Sequence, residues 1–119
     1  MKDEISHSVC KTHMVLPVRD SLEILGGKWK IQIIGALFFG NKRFSELSRD
    51  VEGITDRMLS KELRDLELNL MVERRVHNTF PVTVEYALTD YGKTVRPVIE
   101  ALREWGQKHR EKVIAEFAG

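Results

Sequence analysis

The chain has 119 residues, of which 42% are hydrophobic and 31% charged, a composition typical of one folded domain. Its longest apolar run, residues 33–40, is much shorter than the roughly 18 residues that a membrane-spanning helix needs. The net charge of +1 lends no bulk support to nucleic-acid binding, and the single cysteine excludes an internal disulfide. Because the N-terminal stretch has no apolar segment, we expect no secretory signal, no membrane partner and a cytoplasmic protein.

The sequence pattern over the first third of the chain predicts a flexible arm followed by two helices. Residues 1–14 lack apolar periodicity, so we expect a flexible arm there and one folded domain over 15–119. Pro17 suits the first turn of a helix, which the Gly26-Gly27 pair should end. A broader apolar stripe then predicts a central helix that is covered on most sides, formed by Trp29, Ile33, Ile34, Leu37 and Phe38.

Two short helices are predicted on either side of a turn at Gly53. Ser45 is expected to cap the first helix, over about residues 45–51, and Thr55 the second, over about 55–68. The second helix carries a leucine stripe at helical spacing, formed by Leu59, Leu63, Leu66 and Leu70.

A β-hairpin and a final helix complete the predicted order. Apolar residues alternate over 72–76 and again over 82–88, and the turn-rich sequence HNTFP lies between these segments. Phe80 at the tip has little structural use when exposed, so we expect it to pack beneath the hairpin. Thr89 is expected to cap the last helix, which Pro97 should kink.

This order of elements predicts a mainly α fold with a small β-hairpin, namely a winged helix-turn-helix. In that motif the second helix enters the major groove of DNA, and the residues facing away from its leucine stripe are Thr55, Arg57, Met58, Ser60, Lys61 and Arg64. Arg57 and Ser60 suit contacts to base edges, whereas Lys61 and Arg64 suit phosphates.

Further DNA contacts are predicted before the first of the two short helices, at Arg43 and Ser45, and along the hairpin, at Arg74, Arg75, His77, Asn78 and Thr79. The net charge of this region does not show whether it binds DNA, because eight basic residues between positions 42 and 75 are opposed by eight acidic ones. The alternatives are a solvated charged face and a winged-helix module that binds protein instead of DNA.

The last helix has more apolar residues than a small domain easily covers. Since a helix-turn-helix usually binds two half-sites, we expect a homodimer on a pseudo-palindromic operator. The expected interface residues are Val18, Leu22, Val95, Val98, Ile99, Leu102 and Trp105. A small effector could bind near Trp29 or Trp105, although plain core aromatics are the simpler interpretation.

Enzyme motifs are absent, since the chain contains no Walker loop, no GxSxG and no CxxC, so no catalytic residue and no cofactor is expected. His7, Cys10 and His13 share a spacing of three but lack a fourth metal ligand, and no metal site is predicted.

Several motifs together resemble the HxlR-type winged-helix transcriptional regulators of bacteria, over about residues 17–105: GGKW, RFSEL, GITDRMLSKELRDLE and VEYALTDYG. The resemblance implies a homodimer formed through the terminal helices, with the helix that begins near Thr55 as recognition helix. Leu16 stands where many members have a cysteine, so thiol sensing by the usual route is not expected of Cys10. Leu70 stands where a glycine commonly ends the recognition helix, and Asn69 is expected to take the left-handed cap instead.

Overall fold

The computed structural model describes residues 10–118, with side chains described for 13–117, so His7 and the Cys10 side chain lie outside the described part. A π-helical segment, Cys10–Val15, falls largely within the predicted arm and precedes the first α-helix. The elements that follow are α1 (Leu16–Leu25), α2 (Lys30–Leu37), α3 (Phe44–Asp50), α4 (Asp56–Leu68), β1 (Val72–His77), β2 (Thr83–Leu88), α5 (Asp90–Lys93) and α6 (Arg96–Ala118). The predicted winged helix-turn-helix fold is confirmed.

Helix α2 forms the centre of the core, as its broad apolar stripe predicts. Ile33 and Ile34 are completely buried, and Trp29 and Phe38 pack against the core at the two ends of α2. Helices α3 and α4 cover α2 with fully buried side chains. Leu47 lies on α3 and Val51 directly after it, whereas α4 supplies Leu59, Leu63 and Leu66. Each such side chain contributes roughly 1.5–3 kcal/mol of burial free energy. Within residues 10–118, no helix combines the length and apolar character that crossing a bilayer requires.

The turn between α3 and α4 is fixed by hydrogen bonds from short polar side chains. Thr55 caps α4 as predicted, since its hydroxyl accepts the Met58 backbone N–H at 3.1 Å. Ser48 on α3 donates to the Asp56 carboxylate at 3.0 Å, which joins the two helices directly. The predicted cap at Ser45 is wrong, because α3 begins one residue earlier and the Arg43 backbone N–H donates to Glu46 at 2.9 Å.

The hairpin, called the wing below, is attached firmly to the core at its base. Its antiparallel register runs from Val72 opposite Leu88 to His77 opposite Thr83. Lys42 adds a short bridge to β2 through two backbone hydrogen bonds with Tyr86, at 3.0 and 2.7 Å.

Close packing between the base of the wing and α5 requires glycine at position 92. A Cβ atom added there would lie 2.1 Å from the Met71 carbonyl oxygen. Thr89 completes the joint, because its hydroxyl donates to the Leu70 carbonyl at 2.6 Å and accepts the Gly92 N–H at 2.8 Å. The glycine of the VEYALTDYG motif therefore has a packing role.

Two expectations about exposed residues are wrong. Phe80 does not pack beneath the wing but is fully exposed, because the tip extends beyond the core and no surface of the described residues covers it. The last helix is not kinked at Pro97 but divided before it, into α5 and α6. Pro97 is then the second residue of α6, where its missing N–H breaks no helical hydrogen bond.

The end of α4 also differs from the prediction. Leu70 lies outside the helix with 68% of its surface exposed, and Leu70 rather than Asn69 has the left-handed conformation, with a φ of 64°. The Leu70 and Met71 N–H groups donate back to Glu67 and Leu66, both at 3.0 Å, which is the Schellman pattern. The chain therefore places a leucine where glycine would be unstrained.

We predict that Leu70→Gly raises the free energy of unfolding by roughly 0.5–1 kcal/mol, because it relieves the left-handed strain and removes little buried surface. Leu68→Gly is the matched control, since Leu68 is equally exposed but helical, and this change should lower the stability. Urea denaturation at one fixed protein concentration measures both. An equal loss in the two variants would contradict the assignment of strain to Leu70.

Candidate nucleic-acid interface

The outward side of α4 presents the polar residues that the leucine stripe leaves free. Thr55, Arg57, Ser60, Lys61 and Arg64 are all exposed, while Met58 is half-buried and packs against the core. Within the described part of the chain, the Arg57 and Arg64 side chains form no hydrogen bond or ion pair. These two guanidinium groups are therefore available to an anionic partner.

Three of the four acidic residues of α4 are engaged by the protein itself, and among the described residues only the Glu67 side chain has no such contact. Glu62 retains only 7% exposure, and its carboxylate lies 2.7 Å from the Lys30 ammonium group on α2. The same ammonium lies 3.5 Å from the Asp65 carboxylate, and Asp56 accepts its hydrogen bond from Ser48. Carboxylates on this helix would otherwise repel phosphates, so these contacts remove the main electrostatic objection to DNA binding.

Lys30 supports the outward surface of α4 from within, and the sequence alone did not indicate it. It neutralises two acids of the helix on which the predicted contacts lie, without itself facing outward, since its side chain is only 13% exposed. No local signal marks this role, because Lys30 and Glu62 are distant in the sequence and only the packing of α2 against α4 brings them together.

Lys61 differs from the two free arginines because it is paired. Its ammonium group lies 3.3 Å from Asp65 and 3.5 Å from Glu62. The hydrogen bond with Asp65 raises the pKa of Lys61, and the same bond lowers the pKa of Asp65. Because the pKa of Asp65 is lower in the folded protein, this pair stabilises the fold at pH values above the ordinary pKa of aspartate. That stabilisation is lost as the pH falls through the lowered pKa of Asp65.

On the wing the predicted contact residues have different surroundings. The Arg75 guanidinium is held by Glu73, with Nε 2.7 Å from the carboxylate, whereas Arg74 is exposed and, among the described residues, unpaired. His77 is half-buried, with Nε2 3.4 Å from Glu85. Asn78 and Thr79 are exposed at the turn.

Before α3, Arg43 and Ser45 are both exposed. The neighbouring Lys42 is instead held by Asp50, at 2.9 Å. Arg43 and Ser45 can therefore approach a phosphate backbone. Lys42 instead connects α3 to the wing, since its side chain contacts Asp50 and its backbone pairs with Tyr86.

The predicted interface residues lie on α1 and α6, except Val95, which directly precedes α6. Five of them are exposed apolar side chains, namely Val18, Leu22, Val98, Leu102 and Trp105, while Val95 and Ile99 pack half-buried against the core. The two helices border an open apolar cavity of about 260 Å³, which is lined by neither tryptophan. Trp105 stacks on His109 of the same helix, with ring centroids 5.0 Å apart.

Comparison with known proteins identifies close relatives. The model of a family described as HxlR-like helix-turn-helix matches residues 24–114. The HTH-type transcriptional regulator YdeP of Bacillus subtilis (strain 168) is 41% identical over 97 residues, which cover 82% of this chain and 76% of YdeP. An HTH-type transcriptional regulator of Methanothermobacter thermautotrophicus is 45% identical over 85 residues, which cover 71% of this chain and 65% of that protein. The solved structure of the redox regulator HypR in its reduced form is 39% identical, with a TM-score of 0.77, and the match covers 83% of this chain and 98% of HypR.

We predict that Lys30→Ala lowers the free energy of unfolding by roughly 3 kcal/mol, because it leaves the buried Glu62 carboxylate with only the more distant Lys61 ammonium, at 3.5 Å. The double variant Lys30→Met, Glu62→Leu should recover most of that loss, since it removes both charges. Urea denaturation measures the changes. Lys108→Ala is the control, because the pair between Lys108 and Glu104 is exposed on α6 and should matter little. A Lys30→Ala effect no larger than that of Lys108→Ala would show that the pair does not hold α4 to α2.

Proposed function

The chain belongs to the HxlR-like helix-turn-helix family of transcriptional regulators, and from that premise we propose how it engages DNA. The protein is a DNA-binding regulator and not an enzyme. In our proposal it acts in the cytoplasm as a homodimer on a pseudo-palindromic operator, with α4 in the major groove and the wing on the backbone or minor groove.

The observation that carries this proposal is the division of charge on α4. Three of its four acids, Asp56, Glu62 and Asp65, contact Ser48, Lys30 or Lys61, and the fourth, Glu67, lies near the C-terminal end of the helix. Arg57 and Arg64 extend outward without a partner among the described residues. Arg57 lies in the N-terminal half of the helix, the part that meets base edges in helix-turn-helix proteins. Its guanidinium fork suits the two acceptors of a guanine, and Ser60, one turn further, can bond to several bases.

Phosphate contacts would come from the cations around this helix. Arg64 is free to make such a contact, and Arg43 lies exposed before α3. Lys61 would have to exchange Asp65 for a phosphate oxygen, and Lys30, which lies 3.5 Å from Asp65, would still neutralise that carboxylate afterwards. The paired state of Lys61 in the free protein is therefore compatible with a phosphate contact in the complex.

The exposed apolar faces of α1 and α6 support the proposed homodimer. Leu22, Leu102 and Trp105 are large side chains that are 61%, 49% and 68% exposed, and burying their remaining apolar surface would be favourable by roughly 25 cal/mol per Å². A second copy packed on these helices would cover them, and it would carry a second α4. The operator half-sites would then lie about 34–36 Å apart. An apolar effector bound in the cavity between α1 and α6 would act at this same interface.

We predict that Arg57→Ala weakens binding to the preferred duplex by roughly 1–3 kcal/mol and relaxes the choice of one base pair. Arg64→Ala should instead weaken binding to all duplex sequences alike and reduce the salt dependence of the affinity by about one phosphate contact. Arg103→Ala on α6 removes the same charge away from α4 and should change neither quantity.

Duplexes recovered by selection from a random pool provide the probe, and fluorescence anisotropy at several salt concentrations measures the affinities of these variants. Unchanged binding of Arg57→Ala to the selected duplex would remove this residue from base recognition. If the wild-type protein bound no duplex at low salt, the protein-binding module would become the better interpretation.

We further predict that Leu22→Glu or Leu102→Glu converts the dimer into a monomer, because each places a charge within an apolar interface. Leu68→Glu, at a still more exposed position on the end of α4, should leave the dimer intact. Light scattering after size-exclusion chromatography distinguishes the two masses. A wild-type protein that is monomeric at micromolar concentration would contradict the proposed interface.

A further inference from the structure

The tip of the wing has a character that the fold itself does not explain. We define it as residues 76–83, a stretch that contains no carboxylate. Phe80 is fully exposed there, and Val76 and Val82 are more than half exposed on either side of it. An apolar ring held in water gains free energy as soon as another surface covers it. The tip is therefore suited to contact something outside the chain.

The turn holds Phe80 in position before any partner arrives. The Thr79 hydroxyl donates to the Pro81 carbonyl oxygen at 2.8 Å, which closes the backbone around Phe80. At the other end of the wing, Val72 and Leu88 are buried in the core. Because the backbone that carries Phe80 is held in this way, binding has to restrict only the rotamers of the ring itself.

The length of the arm places Phe80 at a defined distance from α4. Six residue pairs, from Val72 to His77, span about 17 Å at the usual strand rise, and the turn that carries Phe80 lies just beyond them. The base follows directly after the end of α4 in the chain. One turn of B-form DNA is about 34 Å, so the minor groove next to an occupied major groove lies about 17 Å away. A wing that extends along the duplex thus reaches that groove.

The charges near the tip favour DNA over a protein partner. Residues 76–83 contain no acid, and the nearby Glu85 carboxylate lies against His77 of the tip, at 3.4 Å. The exposed Arg74 on β1 has no ion-pair partner among the described residues. Asn78 and Thr79 flank Phe80 with groups that can hydrogen-bond to phosphates or to minor-groove acceptors. This combination of an apolar wedge, amide and hydroxyl neighbours and a nearby cation matches the chemistry of a minor groove.

We propose that Phe80 is an apolar wedge, which enters the minor groove beside each half-site and bends the duplex there. The proposal rests on the DNA-binding function proposed above, and it adds a residue that selects sequence by deformability. The ring displaces water from the sugar walls and opens a base step, at the cost of unstacking that step. Flexible pyrimidine–purine steps are the least costly to open, so this position should favour TA or CA/TG.

The experiment compares Phe80→Ala with Phe39→Ala on a duplex recovered by selection from a random pool. Phe39 is the matched control, because it is an almost fully exposed phenylalanine on another part of the surface, where it lines the same open cavity as Asp50. Phe80→Ala should weaken binding by about tenfold without changing the salt dependence, since the ring contacts no phosphate. Phe39→Ala should bind as the wild type does.

A second measurement reads the deformation itself. We place 2-aminopurine at the flexible step next to each half-site, where an opened step raises its fluorescence when the wild-type protein binds. That rise should be lost in Phe80→Ala and retained in Phe80→Leu and in Arg64→Ala at saturating protein concentration. Because Phe80 is fully exposed, the variants should keep the wild-type melting temperature.

Unchanged affinity and an unchanged fluorescence rise in Phe80→Ala would overturn the wedge. An equal loss in Phe39→Ala would also overturn it, because the effect would then not belong to the tip. If Arg57→Ala weakens binding while Phe80→Ala does not, the wedge fails and the proposed function stands. If the wild type binds no duplex, both fail, and the apolar tip would belong to a protein-binding surface.

Discussion

The ion pair between Lys30 and Glu62 is the contact on which the outward surface of α4 depends. It joins the central helix to α4 at 2.7 Å, in surroundings where neither charge has more than slight access to water. A carboxylate this deeply placed requires its counter-ion, because an unpaired buried charge costs several kcal/mol. The pair therefore fixes which side of α4 faces the core, together with the leucines below it. As a consequence Arg57 and Arg64 face outward, and Glu62 is kept away from an approaching phosphate backbone.

The wing combines a base that is fixed to the core with an apolar tip that is exposed. Its base is rigid, because Lys42 bridges Tyr86 and Gly92 lets α5 approach the Met71 carbonyl more closely than any other residue would allow. Its tip is free of both acids and core contacts. A rigid base with an apolar tip acts as an arm of fixed length, and such an arm can only be useful if its position relative to α4 is also fixed. The base of the wing and α4 both pack on the same hydrophobic core, so the core fixes the position of one relative to the other.

The surfaces that we assign to DNA and to a second subunit lie on different elements. Polar and cationic residues belong to α4 and the wing, whereas the exposed apolar residues of the proposed interface belong to α1 and α6. Separation of this kind allows the distance between two copies of α4 to be set by the packing of α1 and α6 alone. A change at that packing, for example through a molecule in the cavity beside Leu22, would then alter the match to the operator without touching a DNA contact.

The sequence by itself determined those features that depend on neighbouring residues. The leucine stripe at Leu59, Leu63 and Leu66, the cap at Thr55 and the hairpin that follows were all predictable, because helix period, caps and strand alternation are local properties. Only the tertiary structure decided the pairing of Lys30 with Glu62, since it joins two helices that are far apart in the chain. It also assigned the left-handed conformation to Leu70, which the backbone hydrogen bonds to Leu66 and Glu67 require in spite of the leucine side chain. Exposure of Phe80 was likewise undecided until the length of the wing and the extent of the core were both known, because burial depends on what surrounds a residue and not on its own type.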